Sequence, residues 1–336
     1  SFRLKTLHNA KLFKHSGMVL LLCISIFLIA SCFVSAQRKL DLQKSASEPE
    51  AIKQANSKNK KQDSDVSESD TGAQRPIVLK KNGLSAFFGY NTDYYYTSNA
   101  FGTDTEEIAS GIWTNTFYAG AGLGVFDMGE YVLTPYIGGS WMIHDYTKSL
   151  QTLEEENYNR TQSYALLLAQ FGNGWSLRGG LSYLNDRNTN EDTEIIKDFI
   201  YNIGAMKAHT IDDSTQGIFT ASAKYHDVDA DKSAGGTRDE LNRYDLSLSY
   251  EINKDFMGIE FNPKYQVSYN DYLNGNNADR TQLTHTFSLD IVYHITESLR
   301  FETISTYTSN DSSGSNEDDD YEMYDLGGGL RLSARF

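Results

Sequence analysis

Acid–base chemistry is the first possibility to weigh, because His144, His226, His285 and His294 lie in the patterned part of the chain and imidazole exchanges protons near neutral pH. Their spacing builds no linear site. The sequence holds no Gly-x-Ser-x-Gly, no His-Glu-x-x-His and no comparable set of nucleophile, base and acid. A metal loop fares no better. Asp227, Asp229 and Asp231 have the alternate-acid start of a calcium loop, but Lys232 stands where glycine is needed and Arg238 where a closing glutamate belongs. Cys23 and Cys32 are the only cysteines, so the rest of the chain has no thiolate or disulfide chemistry. No catalytic residue, metal site or cofactor is assigned.

Charge narrows the partners. Residues 1–80 carry 13 of the 30 Lys and Arg and seven of the 45 Asp and Glu, which leaves 17 basic and 38 acidic side chains in 81–336. An acidic body offers nucleic acid no footprint. The 22 Tyr and 17 Phe against four Pro, with 26 Gly, are the composition of strands and turns. Mean hydropathy is −0.49, which looks soluble, but a chain that turns only alternate residues to lipid can be polar on average and still cross a bilayer.

The elements that must position these side chains repeat one pattern from Leu84 onward: apolar and polar residues alternate, then a turn follows. The alternation predicts strands at 84–96, 113–126, 131–144, 161–171, 175–187, 217–227, 243–252, 257–270, 282–294, 298–308 and 322–336, eleven in all. Segment 194–206 is ambiguous, because Ile196, Phe199, Ile200, Ile203 and Met206 fit helical spacing. The last stretch is the most telling. After Gly327, Gly328 and Gly329, the apolar residues Leu330, Leu332, Ala334 and Phe336 alternate with Arg331, Ser333 and Arg335.

This ending resembles the C-terminal assembly signal of Gram-negative outer-membrane β-barrels, with Phe336 last and apolar residues at the third, fifth and seventh positions from the end. It departs from the fuller signal in having Arg331 where glycine is frequent. The resemblance implies an all-β, antiparallel transmembrane barrel with short periplasmic turns and long outer loops. That alternation decides the ambiguous segment. Short connections fall at 127–130, 172–174, 253–256 and 295–297, and long ones near 97–112, 145–160, 228–242, 271–281 and 309–321. Only if 196–208 is a strand, turning at Thr210–Gly217, does every connection fall on its proper side. The expectation is therefore about twelve strands, with both termini periplasmic. Trp113, Tyr131, Trp175, Tyr225, Tyr244, Tyr265 and Tyr293 are placed as aromatic girdles.

On this phase Arg178, Lys224, Arg243, Asp245, Glu260, Lys264, Asp290, Arg300, Glu302 and Arg331 point into the lumen, as do Ser182, Ser222 and Arg335. A barrel of this size leaves a narrow or partly plugged interior between the filled eight-stranded and the wide sixteen-stranded cases. Its mixed charges suit passive diffusion of small hydrophilic solutes or ions, and the same charges could instead pair and close it. The alternatives are a non-conducting surface barrel whose acidic loops (104–107, 154–156, 191–192 and 316–320) bind a partner, and an outer-membrane hydrolase whose site assembles across strands.

Ahead of the barrel, basic residues Arg3, Lys5, Lys11 and Lys14 precede the apolar run Met18–Ala30, which is short of the roughly 20 residues a membrane helix needs and has the order of a signal peptide. Val34–Ala36 offers a cleavage site before Gln37, while Ile29–Cys32 resembles a lipoprotein processing box that would leave Cys32 lipidated. The domain reading is a signal peptide over 1–36, a disordered periplasmic linker over 37–81 and the outer-membrane barrel over 82–336. Implied partners are outer-membrane lipid, the barrel-assembly machinery and, through the linker, peptidoglycan or a periplasmic protein.

Overall fold

The computed structural model describes residues 84–100, 108–147, 153, 156–230, 241–274, 277–314 and 320–336. The signal peptide and linker expectations, the acidic stretches 104–107, 154–155 and 316–319, and the Asp231, Lys232 and Arg238 positions of the weak calcium motif lie outside them.

Thirteen strands form: β1 (Ser85–Thr97), β2 (Ser110–Gly122), β3 (Phe126–Asp127), β4 (Tyr131–Tyr146), β5 (Tyr158–Phe171), β6 (Trp175–Asn188), β7 (Glu194–Asp212), β8 (Thr215–Ala230), β9 (Arg243–Phe256), β10 (Ile259–Tyr272), β11 (Thr281–His294), β12 (Leu299–Ser313) and β13 (Tyr321–Arg335). All but β3 belong to one antiparallel ring. Neighbours in sequence pair with each other, β1 pairs β13, and β2 pairs β4 from Ile112↔Tyr146 to Gly122↔Tyr136, so the twelve long strands close into a barrel. Each has at least 13 residues. About 9–11 tilted residues cross a hydrocarbon core.

Sequence and structure part company at two places. The expected strand 113–126 ends at Gly122, because Gly124 adopts φ +122° and turns the chain; Phe126 and Asp127 then form the short β3 against Leu133 and Val132. Leu123 and Val125 thus sit in a break, not on a continuous strand. Segment 196–208 is a strand, and longer than expected. Along β7, Phe199, Tyr201 and Ile203 are exposed outward while Asp198, Ile200 and Asn202 are buried inward. The helical spacing arose because Ile200 and Met206 are apolar on the inward face, filling gaps in the outward series.

Short connections (172–174, 213–214, 257–258, 295–298) and the segment 123–130 that holds β3 share one end of the barrel with the start of β1 and the end of β13, and the remaining connections share the other. We call these the short-turn end and the loop end. Among the short turns, 213–214 is held by Lys254 Nζ, which donates to Asp212 at 3.2 Å and to the hydroxyls of Ser214 and Thr215 at 2.6 Å each. The Ser214 backbone N–H, the Thr215 and Ser214 hydroxyls and Lys254 together hold the exposed Asp212 carboxyl, outside the spanning part of β7, well below the usual carboxylate range.

The seam between first and last strands relies on glycine. Ala86 and Phe336 exchange backbone bonds of 3.2 and 2.9 Å, Phe88 stacks on Phe336 at 5.8 Å, and a Cβ on Gly329 would strike the Asp93 carboxylate and the Thr92 carbonyl. Gly329→Val should therefore cost about 1–3 kcal/mol by overpacking this seam. Gly172→Ala, where a Cβ meets nothing within 4 Å, should be near neutral. Urea unfolding in micelles, read by the heat-modifiable gel shift, distinguishes the two.

Candidate functional site: the barrel interior

Alternation gives the barrel two opposite faces. Outward, Trp113, Phe117, Trp141, Leu167, Leu181, Phe199, Leu246, Phe287 and Leu332 are all exposed, an apolar belt no water-soluble surface of this extent would carry. Inward, the same strands present Asn91, Thr114, His144, Asp186, Asn202, Asn270 and Asn310, all buried. The girdle aromatics behave unevenly. Tyr225 and Tyr244 pack at a tilt with centroids 5.2 Å apart and Tyr201 beside them, but Tyr265 sits midway along β10, where its hydroxyl meets His285 Nδ1 at 2.7 Å.

The interior is filled unequally. In the short-turn half, the wall from β1 to β5 carries a buried cluster of Phe87, Tyr118, Tyr136, Tyr164, Leu166 and Leu168. Opposite, inward residues of β8 to β12 such as Ser222, Ser249, Glu251, Lys264, Gln266 and Thr306 keep partial exposure. An inward side chain that water reaches borders a wet space, so water reaches this half of the interior along β8 to β12, between the buried Asn262, Ser288 and Val292. In the loop half every strand contributes buried side chains, among them Thr97, Ile112, His144, Gln162, Leu184, Asp198, His226, Arg243, Tyr272, Thr284, Asn310 and Asp325. These form a closed polar layer.

Ion pairs knit that layer across five neighbouring strands. Arg160 on β5 grips Asp186 on β6 with two bonds of 2.7 Å. His226 on β8 places Nδ1 2.7 Å from Asp198 on β7 and Nε2 2.9 Å from Asp245 on β9, the second contact at ion-pair distance but not aligned as a hydrogen bond. Arg243 Nε donates to Asp245 at 2.9 Å and its guanidinium lies over Tyr272. Buried charges persist only when paired in this way.

The ten residues assigned to the lumen occupy inward positions of the alternation, and several meet. Arg243 pairs with Asp245, and Arg300 and Arg331 converge on Glu302 at 3.3 and 3.5 Å, Arg331 also bonding Asp93. Lys224 stands opposite Asp245 and Glu251 opposite Lys264 in register, and Glu260 lies 3.1 Å from His294. Asp290 on β11 is opposite Asn262, while Arg178 on β6 lies beside Gly204. Arg160, Asp186, Asp198 and Asp93 add to the lumen charges that the alternation predicted, and His226, expected as a polar lumen or interface residue, stands among them. Parity could have found Asp93 and Asp186, which share phase with the inward sets of their strands; Asp198 was hidden by the helix-like segment. The four histidines form no common centre: His144 stacks on Tyr158 at 4.6 Å, His285 faces outward, and His294 lies at the short-turn end.

A closed antiparallel ring, apolar outside and polar within, defines the class: a transmembrane β-barrel of the outer-membrane type. No family model and no curated protein sequence matches the chain. Among solved structures, it is similar to the COG4313 outer membrane channel from Pseudomonas putida F1 (10% identity, TM-score 0.47, covering 78% of this chain and 100% of that one). It is also similar to the KdgM porin (10%, 0.38, 72% and 98%) and to the translocator domain of the autotransporter NalP from Neisseria meningitidis (12%, 0.36, 84% and 97%). At such identities the likeness concerns architecture alone, and channel and translocator are names that belong to those proteins.

The Arg160–Asp186 pair, with side chains 11% and 9% exposed, sets the energy scale of the layer. Arg160→Ala should cost about 3–5 kcal/mol, because Asp186 is left charged and unpaired, whereas the double change Arg160→Met with Asp186→Leu should cost much less. Urea midpoints of the two variants in micelles check this.

Proposed function

We propose that the protein is a bacterial outer-membrane channel for small hydrophilic solutes or ions, passive and narrow, with a lumen of mixed charge. The observation that carries the reading is the wet wall of β8 to β12, where Glu251, Lys264, Gln266 and Thr306 face inward yet remain accessible. Charges of both signs on that wall set ion preference without favouring one sign outright. The reading is of a channel and not of an enzyme. The usual orientation of such barrels puts short turns in the periplasm, so the start of β1 and the end of β13 face that side and the acidic connections face outward. Leu330, Leu332, Ala334 and Phe336 serve recognition by the assembly machinery, and residues 37–81 act as a periplasmic tether, with peptidoglycan or a periplasmic protein as its anchor.

A second reading follows from the polar layer at the loop end: a barrel closed there is a non-conducting surface protein with partner-binding loops. Planar-bilayer recording separates the two. Stable, ohmic steps are expected from the purified barrel, and a folded but silent barrel favours the surface protein. Sidedness is tested by thiol labelling of intact cells: a cysteine at Asp192 should react with an impermeant reagent, while one at Asp213 should react only after the outer membrane is opened.

A further inference from the structure

The loop-end layer closes the interior with charged groups, and one member stands apart. His226 is fully buried between two carboxylates, those of Asp198 on β7 and Asp245 on β9. An imidazole can offer a proton to both only as the imidazolium; the neutral ring turns a lone pair toward one of them. The two acids have other partners, but unequal ones. Asp245 receives Arg243 Nε, whereas Asp198 Oδ1 is buried without a hydrogen-bond partner, so among the described residues His226 is the one cation in direct contact with Asp198. Among the described residues, further charged or titratable groups around the ring are Lys224 on β8 itself, the Arg160–Asp186 pair beyond Asp198, and Arg280 with Tyr272 beyond Arg243. On the far wall of the same layer stand His144 and Asp325. None of these replaces a charge at the centre of the clamp.

We propose that His226 is the proton-operated latch of the loop-end layer: protonated, it ties β7, β8 and β9 together and keeps the barrel closed; deprotonated, it releases them and opens a path to the wet wall. The step moves one proton between the ring and water and makes or breaks no covalent bond besides N–H. Release leaves two carboxylates flanking a neutral ring in a site with little water, where like charges and unmatched lone pairs repel most strongly. Lys224, two residues along β8 and opposite Asp245, marks the nearest point of the accessible wall. The change at the ring therefore reaches the lumen within one inward position.

This regulation rests on the channel reading, and the test keeps the two apart. Conductance of the purified barrel should rise roughly three- to tenfold between about pH 5 and about pH 9 and should be flat in His226→Gln. A rise that survives unchanged in His226→Gln overturns the latch. If wild type is silent at every pH, the channel reading fails, and the latch is judged by hydrogen exchange of the loop-end amides of β7 to β9. Their protection factors should fall with pH in wild type and not in the variant; protection independent of pH overturns it. Should His226→Gln not fold, Asp198→Asn takes its place and must displace the midpoint of whichever transition is read. An unmoved midpoint again overturns the proposal.

Discussion

Every backbone N–H and C=O that meets hydrocarbon must find its partner within the protein, and this one requirement shapes the chain. A sheet satisfies it only by having no edge. The pairing of β1 with β13, and of β2 with β4 past the short β3, removes the last open edges, and the glycines of the closing strand let the seam approach closely enough to hold. β7 is drawn into the ring by the same requirement. Left out as a helix in a loop, it would leave Trp175–Arg187 on β6 and Thr215–Ala230 on β8 without their ladder partners.

Once the ring is closed, the interior must be settled separately. Twelve strands enclose more space than their inward side chains fill evenly, and the chain answers in two ways. On one side it uses aromatic and aliphatic bulk, Phe87, Tyr118, Tyr136, Tyr164, Leu166 and Leu168, which brings no charge that must be paired. At the loop end it uses charges and amides, which exact a large desolvation cost and are tolerable only as a network. Arg160 with Asp186, and His226 between Asp198 and Asp245, are stable as units and unstable in parts.

Much of this was legible in the residue order. Period-two alternation placed the strands and their phase, and the alternation of connection lengths recovered β7 against its own local pattern. What escaped had identifiable causes. Gly124 broke a strand through a backbone angle that composition does not display. The inward aromatics were unreadable because aromatic residues serve both the lipid face and a filled interior, and alternation alone does not say which use a position has. His226 looked isolated because its two acids come from strands on either side, 28 residues before it and 19 after. Such pairings exist only once register is fixed, and register is a property of the closed ring.

The aromatic filling along β1 to β5 has a further consequence for the proposed channel. It moves the accessible side of the interior off the axis and toward β8 to β12, so an ion permeating such a channel would travel near one wall. Coulomb interactions fall with distance and with intervening water, and at about 4 Å a single charge outweighs several across a Debye length of about 8 Å. The sum of charges over the whole interior is then a poor guide to preference. In the proposed channel an ion on this wall would pass two opposed pairs, Lys264 with Glu251 and then Lys224 with Asp245, and it is the placement of the signs along that track, not their total, that would decide which ions dwell and which pass.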